Sequence, residues 1–214
     1  MTDMMPKLVL HDYFRSSASY RVRIALNLKQ LPFERVEISL IAGDQKSDAY
    51  LAMNAQGFVP MLVADDDVII QSMAIMDWLD RRFPDVSLIP DAPMPRAVAL
   101  AQANVVACDI HPLNNMRVLK YLGHDLGLND QVKDRWIAHW IVQGFDALDA
   151  MAGDGRFLGG DAPNIADCCL IPQIYNARRY GVVLDDFSRL LEIEEACMAL
   201  PAFQQAHPDA VKSL

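Results

Sequence analysis

Apolar and polar positions along this chain change period near residue 85, and the change divides it in two. Before that point the period switches repeatedly. Residues 7–11 read as a strand, 17–29 as a helix, and 33–38, rich in branched side chains, as a second strand. These make a βαβ unit. After a loop through Gly43, a short helical stretch is expected near 47–53. Residues 59–64 and 68–70 then flank Asp65-Asp66-Asp67 as a hairpin around a tight turn. Residues 71–83 form the next helix, with Met76, Leu79 and Phe83 on one core-facing stripe. Pro84, Pro90, Pro93 and Pro95 make 83–95 a linker. Beyond it the pattern is helical over 96–122, 131–152, 164–180 and 189–200, with Pro112 expected to kink the first of these. The predicted plan is α/β plus all-α: a βαβ–ββα domain over 1–86, then an all-helical domain over 93–214.

Composition narrows the function. With 52% hydrophobic and 22% charged residues, the chain is apolar enough to bury cores and too apolar for disorder. Its formal charge of −9 repels phosphate backbones and anionic lipid, so neither nucleic acid nor a membrane is an expected partner. An acidic protein that handles an anionic substrate needs arginines gathered against that field. The first residues lack the apolar stretch of a leader, and no run approaches the ~18 residues of a membrane span, so a cytoplasmic location is expected. Cys108, Cys168, Cys169 and Cys197 form no C-x-x-C pair and suit free thiols. Cys108 and His111, three apart, are too few for a zinc site, which takes about four ligands, and no metal is expected.

The richest segment for chemistry is Phe14-Arg15-Ser16-Ser17-Ala18-Ser19-Tyr20, where the first strand ends and a helix begins. Unpaired amides and the positive end of the helix dipole favour an anion there, and Ser16 or Ser17 can donate a hydrogen bond to it. A thiolate fits, and with no cysteine in the segment the thiol must come from outside. Plain helix capping by a serine is the competing reading. In Gly57-Phe58-Val59-Pro60, a cis proline at a strand start would present the main chain of Val59 to a peptide lying alongside. Gln71-Ser72 opens the next helix and could dock a carboxylate, although capping explains Ser72 as well. Taken together, a thiol site, a pairing edge and a carboxylate site describe a small peptide with a thiol. In the second half, His111 and Asn115 share a helix face if the helix continues through Pro112. Arg178 and Arg179 either complement a helix C-terminus or join Arg15 as an anion clamp, Arg179 before Arg178. Asn164-Ile165-Ala166-Asp167 reads as a capping box with a structural role.

Ser16-Ser17-Ala18-Ser19-Tyr20-Arg21-Val22-Arg23-Ile24-Ala25-Leu26, Val59-Pro60, Gln71-Ser72, the segment from Asp109 to Asn115 and that from Asn164 to Arg179 together resemble the zeta class of glutathione transferases over nearly the whole chain. The resemblance implies a thioredoxin-like N-terminal domain, an all-helical C-terminal domain, glutathione as cofactor and a homodimer. It further implies glutathione-dependent cis–trans isomerisation of maleylacetoacetate to fumarylacetoacetate in tyrosine and phenylalanine breakdown. Isomerisation of maleylpyruvate, or conjugation or dehalogenation of small α-halo acids, are the alternatives. By resemblance, Val59, Gln71 and Ser72 hold the tripeptide with His111 and Asn115 beside it. Ser16 or Ser17 holds its sulfur, and Arg15 and Arg179 bind a small dicarboxylate. Two positions depart from the class signature: Ala18 where many members carry cysteine, and Tyr20 where they carry tryptophan or histidine. A chemistry that asks only for a bound thiol proceeds without that cysteine.

Overall fold

The structure, a computed structural model, describes residues 5–212. It divides into two compact units, one running to Leu88 and taking in the chain from Leu200 onward, the other spanning Ile89–Ala199. The first unit holds a four-stranded mixed sheet in the order β2-β1-β3-β4, with β1 Leu8–Asp12, β2 Glu34–Glu37, β3 Met61–Ala64 and β4 Asp67–Ile70. β1 pairs in parallel with β2 and antiparallel with β3, which is the βαβ–ββα plan expected from the pattern. Ala64 pairs with Asp67, so the hairpin loop is Asp65-Asp66, with Asp65 left-handed at φ 53°. Its helices are α1 Ser17–Leu28, α2 Asp48–Met53 and α3 Ser72–Arg82.

Alternation along β1 sends Leu8, Leu10 and Asp12 to one face. The first two are ordinary core. Asp12 is a fully buried carboxylate, and such a group persists only when paired. Arg23 of α1 meets both its oxygens at 3.0 and 2.9 Å, and Arg35 of β2 approaches at 3.0 Å. Arg23 also donates to the carbonyls of Phe14 (2.9 Å) and Ala206 (3.0 Å).

That last bond belongs to a departure from the sequence reading, which gave residues 200–214 to the helical domain. The chain from Leu200 instead packs on the first unit as α9 Pro201–Ala206 and α10 Pro208–Val211. Asn27 donates to Ala202 O at 3.0 Å and Arg35 to Val211 O at 2.7 Å, so side chains of the first unit receive main-chain carbonyls of the tail.

The second unit is helical: α4 Pro93–Asn104, α5 Met116–Lys120, α6 Asp130–Met151, α7 Ile165–Arg179 and α8 Ser188–Met198. The single long helix expected over 96–122 is not continuous. α4 runs into a π-helical stretch, Val105–Ile110, breaks into a turn over 111–115, and resumes as α5. Pro112 lacks the N–H needed to carry the ladder through. The Trp136 indole donates to Leu113 O at 3.0 Å, satisfying a carbonyl that the break leaves without a helical donor. Gly144 of α6 lets the π-helical stretch come close, since a Cβ there would lie 2.3 Å from the side chain of Ile110. α7 opens with the expected capping box. Asp167 accepts from the amides of Asn164 (2.8 Å), Leu158 (2.8 Å) and Gly159 (3.1 Å).

Candidate active site

β1 ends at Asp12 and α1 starts at Ser17, so four residues make the turn that would carry the chemistry. The amide of Ser16 bonds Tyr13 O at 2.9 Å, while Arg23 holds the Phe14 carbonyl from the core side. The turn is therefore gripped from within. Ser16 is the N-cap, with extended backbone and Oγ accepting from the Ser19 amide at 3.2 Å. Capping is thus a correct reading of Ser16, yet it does not compete with a role towards an anion. A hydroxyl has two acceptor lone pairs and one proton, and the cap uses only a lone pair. Ser16 is half-buried, and its proton remains to be donated. Ser17 occupies the first helical position, 7% exposed, and its side chain makes no hydrogen bond among the described residues. The half-buried Arg15 donates to Tyr13 Oη at 3.2 Å and lies over the Phe14 ring, 5.1 Å from its centre. Tyr20, at the departing signature position, is a core residue, 1% exposed and edge-on to His207.

The second element is the loop into β3. Tyr50 Oη and Asn54 Nδ2 both donate to Phe58 O, at 2.6 and 2.8 Å, and fix the residue before Val59. Gly57 is required here. Its φ is +61°, and a Cβ would sit 2.9 Å from the carbonyl oxygen of Gln45. The Val59-Pro60 bond is cis. The Val59 side chain packs against Ile38, Tyr50 and Met61. Its main chain makes no hydrogen bond among the described residues, so an N–H and a C=O are open to an extended peptide. Gln45, beside this loop, is buried with Oε1 lacking a partner among the described residues. Sequence reasoning missed it, because nothing in the pattern marks one glutamine in a loop.

At the third element, Gln71 adopts φ 72°, ψ 119°, a conformation costly for a residue with a Cβ and most often kept where function needs it. Its side-chain Nε2 donates to Gln56 Oε1 at 2.6 Å. Ser72 is the first residue of α3, and no side chain caps this end, so capping does not account for it. Its Oγ instead accepts from the buried guanidinium of Arg21 at 3.2 Å.

In the second unit the geometry expected for His111 and Asn115 does not hold. They lie at the two ends of a turn, not on one helix face, and Asn115 caps α5 by accepting from the Arg117 amide at 3.1 Å. The arginine pair separates cleanly. Arg178 forms a two-pronged pair with Glu194, whereas the exposed Arg179 makes no hydrogen bond or ion pair among the described residues and rests over the Tyr180 ring at 5.6 Å. Among the described residues no three His, Cys, Asp or Glu side chains gather to hold a metal ion, and no helix is long and apolar enough to cross a membrane.

Comparison with known proteins agrees with these features. Residues 15–82 match the model of the glutathione S-transferase N-terminal domain, and residues 130–205 that of the C-terminal domain. Maleylacetoacetate isomerase of Pseudomonas aeruginosa is 44% identical over 205 residues, covering 93% of this chain and 95% of the relative. A holo structure of maleylpyruvate isomerase, described as a bacterial zeta-class glutathione S-transferase, superposes with a TM-score of 0.92 at 40% identity, covering 94% and 97% of the two chains. A maleylacetoacetate isomerase from Methylobacterium extorquens, solved with malonate and glutathione bound, also gives 0.92, at 37% identity over 95% and 98%. The fold is therefore the thioredoxin-like glutathione S-transferase fold, and the chain belongs to the zeta class of that family.

Proposed function

We propose that this protein is a glutathione-dependent cis–trans isomerase acting on maleylacetoacetate, in the breakdown of tyrosine and phenylalanine. The observation that carries the reading is Ser16, a half-buried hydroxyl fixed by its cap bond at the amide end of α1 with its proton free to donate. The residues fit glutathione. The open main chain of Val59 suits the peptide, and Ser72 at the amide end of α3 suits a carboxylate. When bound, the tripeptide supplies a nucleophilic sulfur whose addition makes the double bond single for a moment and whose expulsion follows rotation.

The work of the protein is to hold charge. Ser16 donates to the sulfur, with Ser17 next in line, and the first amides of α1 add their dipole. Arg15 and Arg179 bind the substrate carboxylates and offset the negative charge that develops during addition, a task that suits a forked guanidinium better than an ammonium. The commitment of Arg178 to Glu194 supports Arg179 as the substrate residue. His111 and Asn115 are proposed to lie beside the tripeptide. The resemblance supports a homodimer in the cytoplasm.

Maleylpyruvate, with a shorter tail, is a second reading, favoured by the likeness to an isomerase of that compound. Turnover of both compounds, with and without glutathione, tests the proposal. Activity on the first that needs glutathione is expected. Faster turnover of maleylpyruvate alone would move the assignment to it, and turnover of neither would overturn the isomerase reading.

A further inference from the structure

Arg21 is a long, permanently charged side chain that is only 2% exposed, one turn into the opening helix. A guanidinium cannot shed its charge, so burying it is costly and asks for a reason. Its bond to Ser72 is unusual in its target. Arg21 Nη1 donates to Ser72 Oγ at 3.2 Å, fifty-one residues away, at the first position of α3.

That bond dictates what Ser72 can do. A hydroxyl carries one proton and two lone pairs, and a guanidinium only donates. With Arg21 occupying a lone pair on the core side, the proton of Ser72 is directed outward, towards the amide end of α3. The strained Gln71 backbone presents the same end. A carboxylate bonded to Ser72 would lie ~6 Å from the Arg21 charge, one hydroxyl of ~2.7–3.2 Å on each side. Chain-wide charge is −9, so an anion at this end needs such local help.

We infer that Arg21 is a positioning residue for the tripeptide, acting through Ser72 to hold its γ-glutamyl α-carboxylate. The inference rests on the proposal that the protein binds glutathione. Acting through Ser72, Arg21 would change the hold on the carboxylate end of the ligand and leave the rest of its binding unchanged.

The test pairs a protein variant with a ligand variant. Dissociation constants of glutathione and of γ-aminobutyryl-cysteinyl-glycine, which lacks that carboxylate, are measured by calorimetry on the wild type, Arg21→Met and Arg21→Gln. The glutamine keeps a buried donor for Ser72 without the charge, and stands in if the methionine variant does not fold. Arg21→Met should weaken glutathione about tenfold and leave the analogue within about twofold, with Arg21→Gln between. Equal losses for both ligands would show a merely structural arginine and overturn the inference, as would no loss for either. If the wild type binds no glutathione, the glutathione reading falls first and takes this inference with it.

Discussion

Ser16 carries two bonds in this account, and substitutions can separate them. Ser16→Ala removes the cap on the Ser19 amide, which costs about 1 kcal/mol, or roughly 2–4 °C in melting temperature for a chain of this size. It also removes the donor to the sulfur. A hydrogen bond to a charged group is worth about 1.5–3 kcal/mol, so the bound thiol should rise by about one to two pKa units, at ~1.4 kcal/mol per unit. Ser16→Asp uncouples the two. A carboxylate caps as well as serine and favours the helix dipole, yet it has no proton to give a thiolate and repels it. Its melting temperature should match the wild type while the thiol pKa rises at least as far as in the alanine variant. Thiolate absorbance against pH and a thermal melt read the two quantities on the same samples. Ser17→Ala is the comparator, since the Ser17 side chain makes no hydrogen bond among the described residues. An unmoved titration in both Ser16 variants would refute the assignment, and a shift in Ser17→Ala alone would transfer it to Ser17.

Other consequences follow from named contacts. Arg179→Ala should lower kcat/KM for the dicarboxylate at least tenfold while sparing glutathione affinity and stability, whereas Arg178→Ala should lose the Glu194 pair with little kinetic effect. Steady-state kinetics beside a melting curve decides, and normal kcat/KM in Arg179→Ala ends the clamp. His11 lies edge-on to Tyr50 with Nδ1 buried and without a partner among the described residues, and burial lowers its pKa below the ordinary 6.5. The folded state then favours neutral His11, so its contribution is complete above the unfolded pKa and is lost as pH falls below about 6.5 towards the folded value. Urea midpoints at pH 7.5 and 5.0 should differ more in the wild type than in His11→Leu; equal differences would contradict this. Asp167→Ala strips three amides of their acceptor and should cost several kcal/mol at roughly 1–3 per buried unsatisfied group. Retained stability in a denaturant melt would show that the capping box is dispensable.

Much of the first unit was legible because strand alternation, the α1 face and the turn residues all encode local geometry. The βαβ–ββα order followed from such local signals, whereas a proline at a strand start allowed a cis bond before Pro60 without requiring it. What the pattern could not carry were contacts made through main-chain atoms. The tail from Leu200 docks by offering the carbonyls of Ala202, Ala206 and Val211, and a carbonyl leaves no trace in side-chain identity. Its helices, six and four residues long, are also too short to show a period. Asp12, Arg21 and Arg23 look like surface charges in any composition-based reading, and only the fold shows them buried. Pro112 announced a disruption correctly, but whether a proline kinks or breaks a helix depends on what receives the freed carbonyls. Here Trp136 receives one of them from another helix. At the candidate site, the placement of the serine pair and of Gln71-Ser72 at helix starts was readable in the sequence. The difference between Arg178 and Arg179 was not, because it turns on Glu194 of α8.

In the proposed reaction the thiol is a catalyst which the protein holds and returns. The direct measurement is the amount of free glutathione during conversion of maleylacetoacetate, followed by thiol titration beside the ultraviolet spectrum of the trans product over many turnovers. Hundreds of product molecules should form per glutathione present, with the thiol concentration unchanged throughout and no product when glutathione is omitted. One glutathione consumed per substrate converted would contradict this, and would make the protein a conjugating transferase instead.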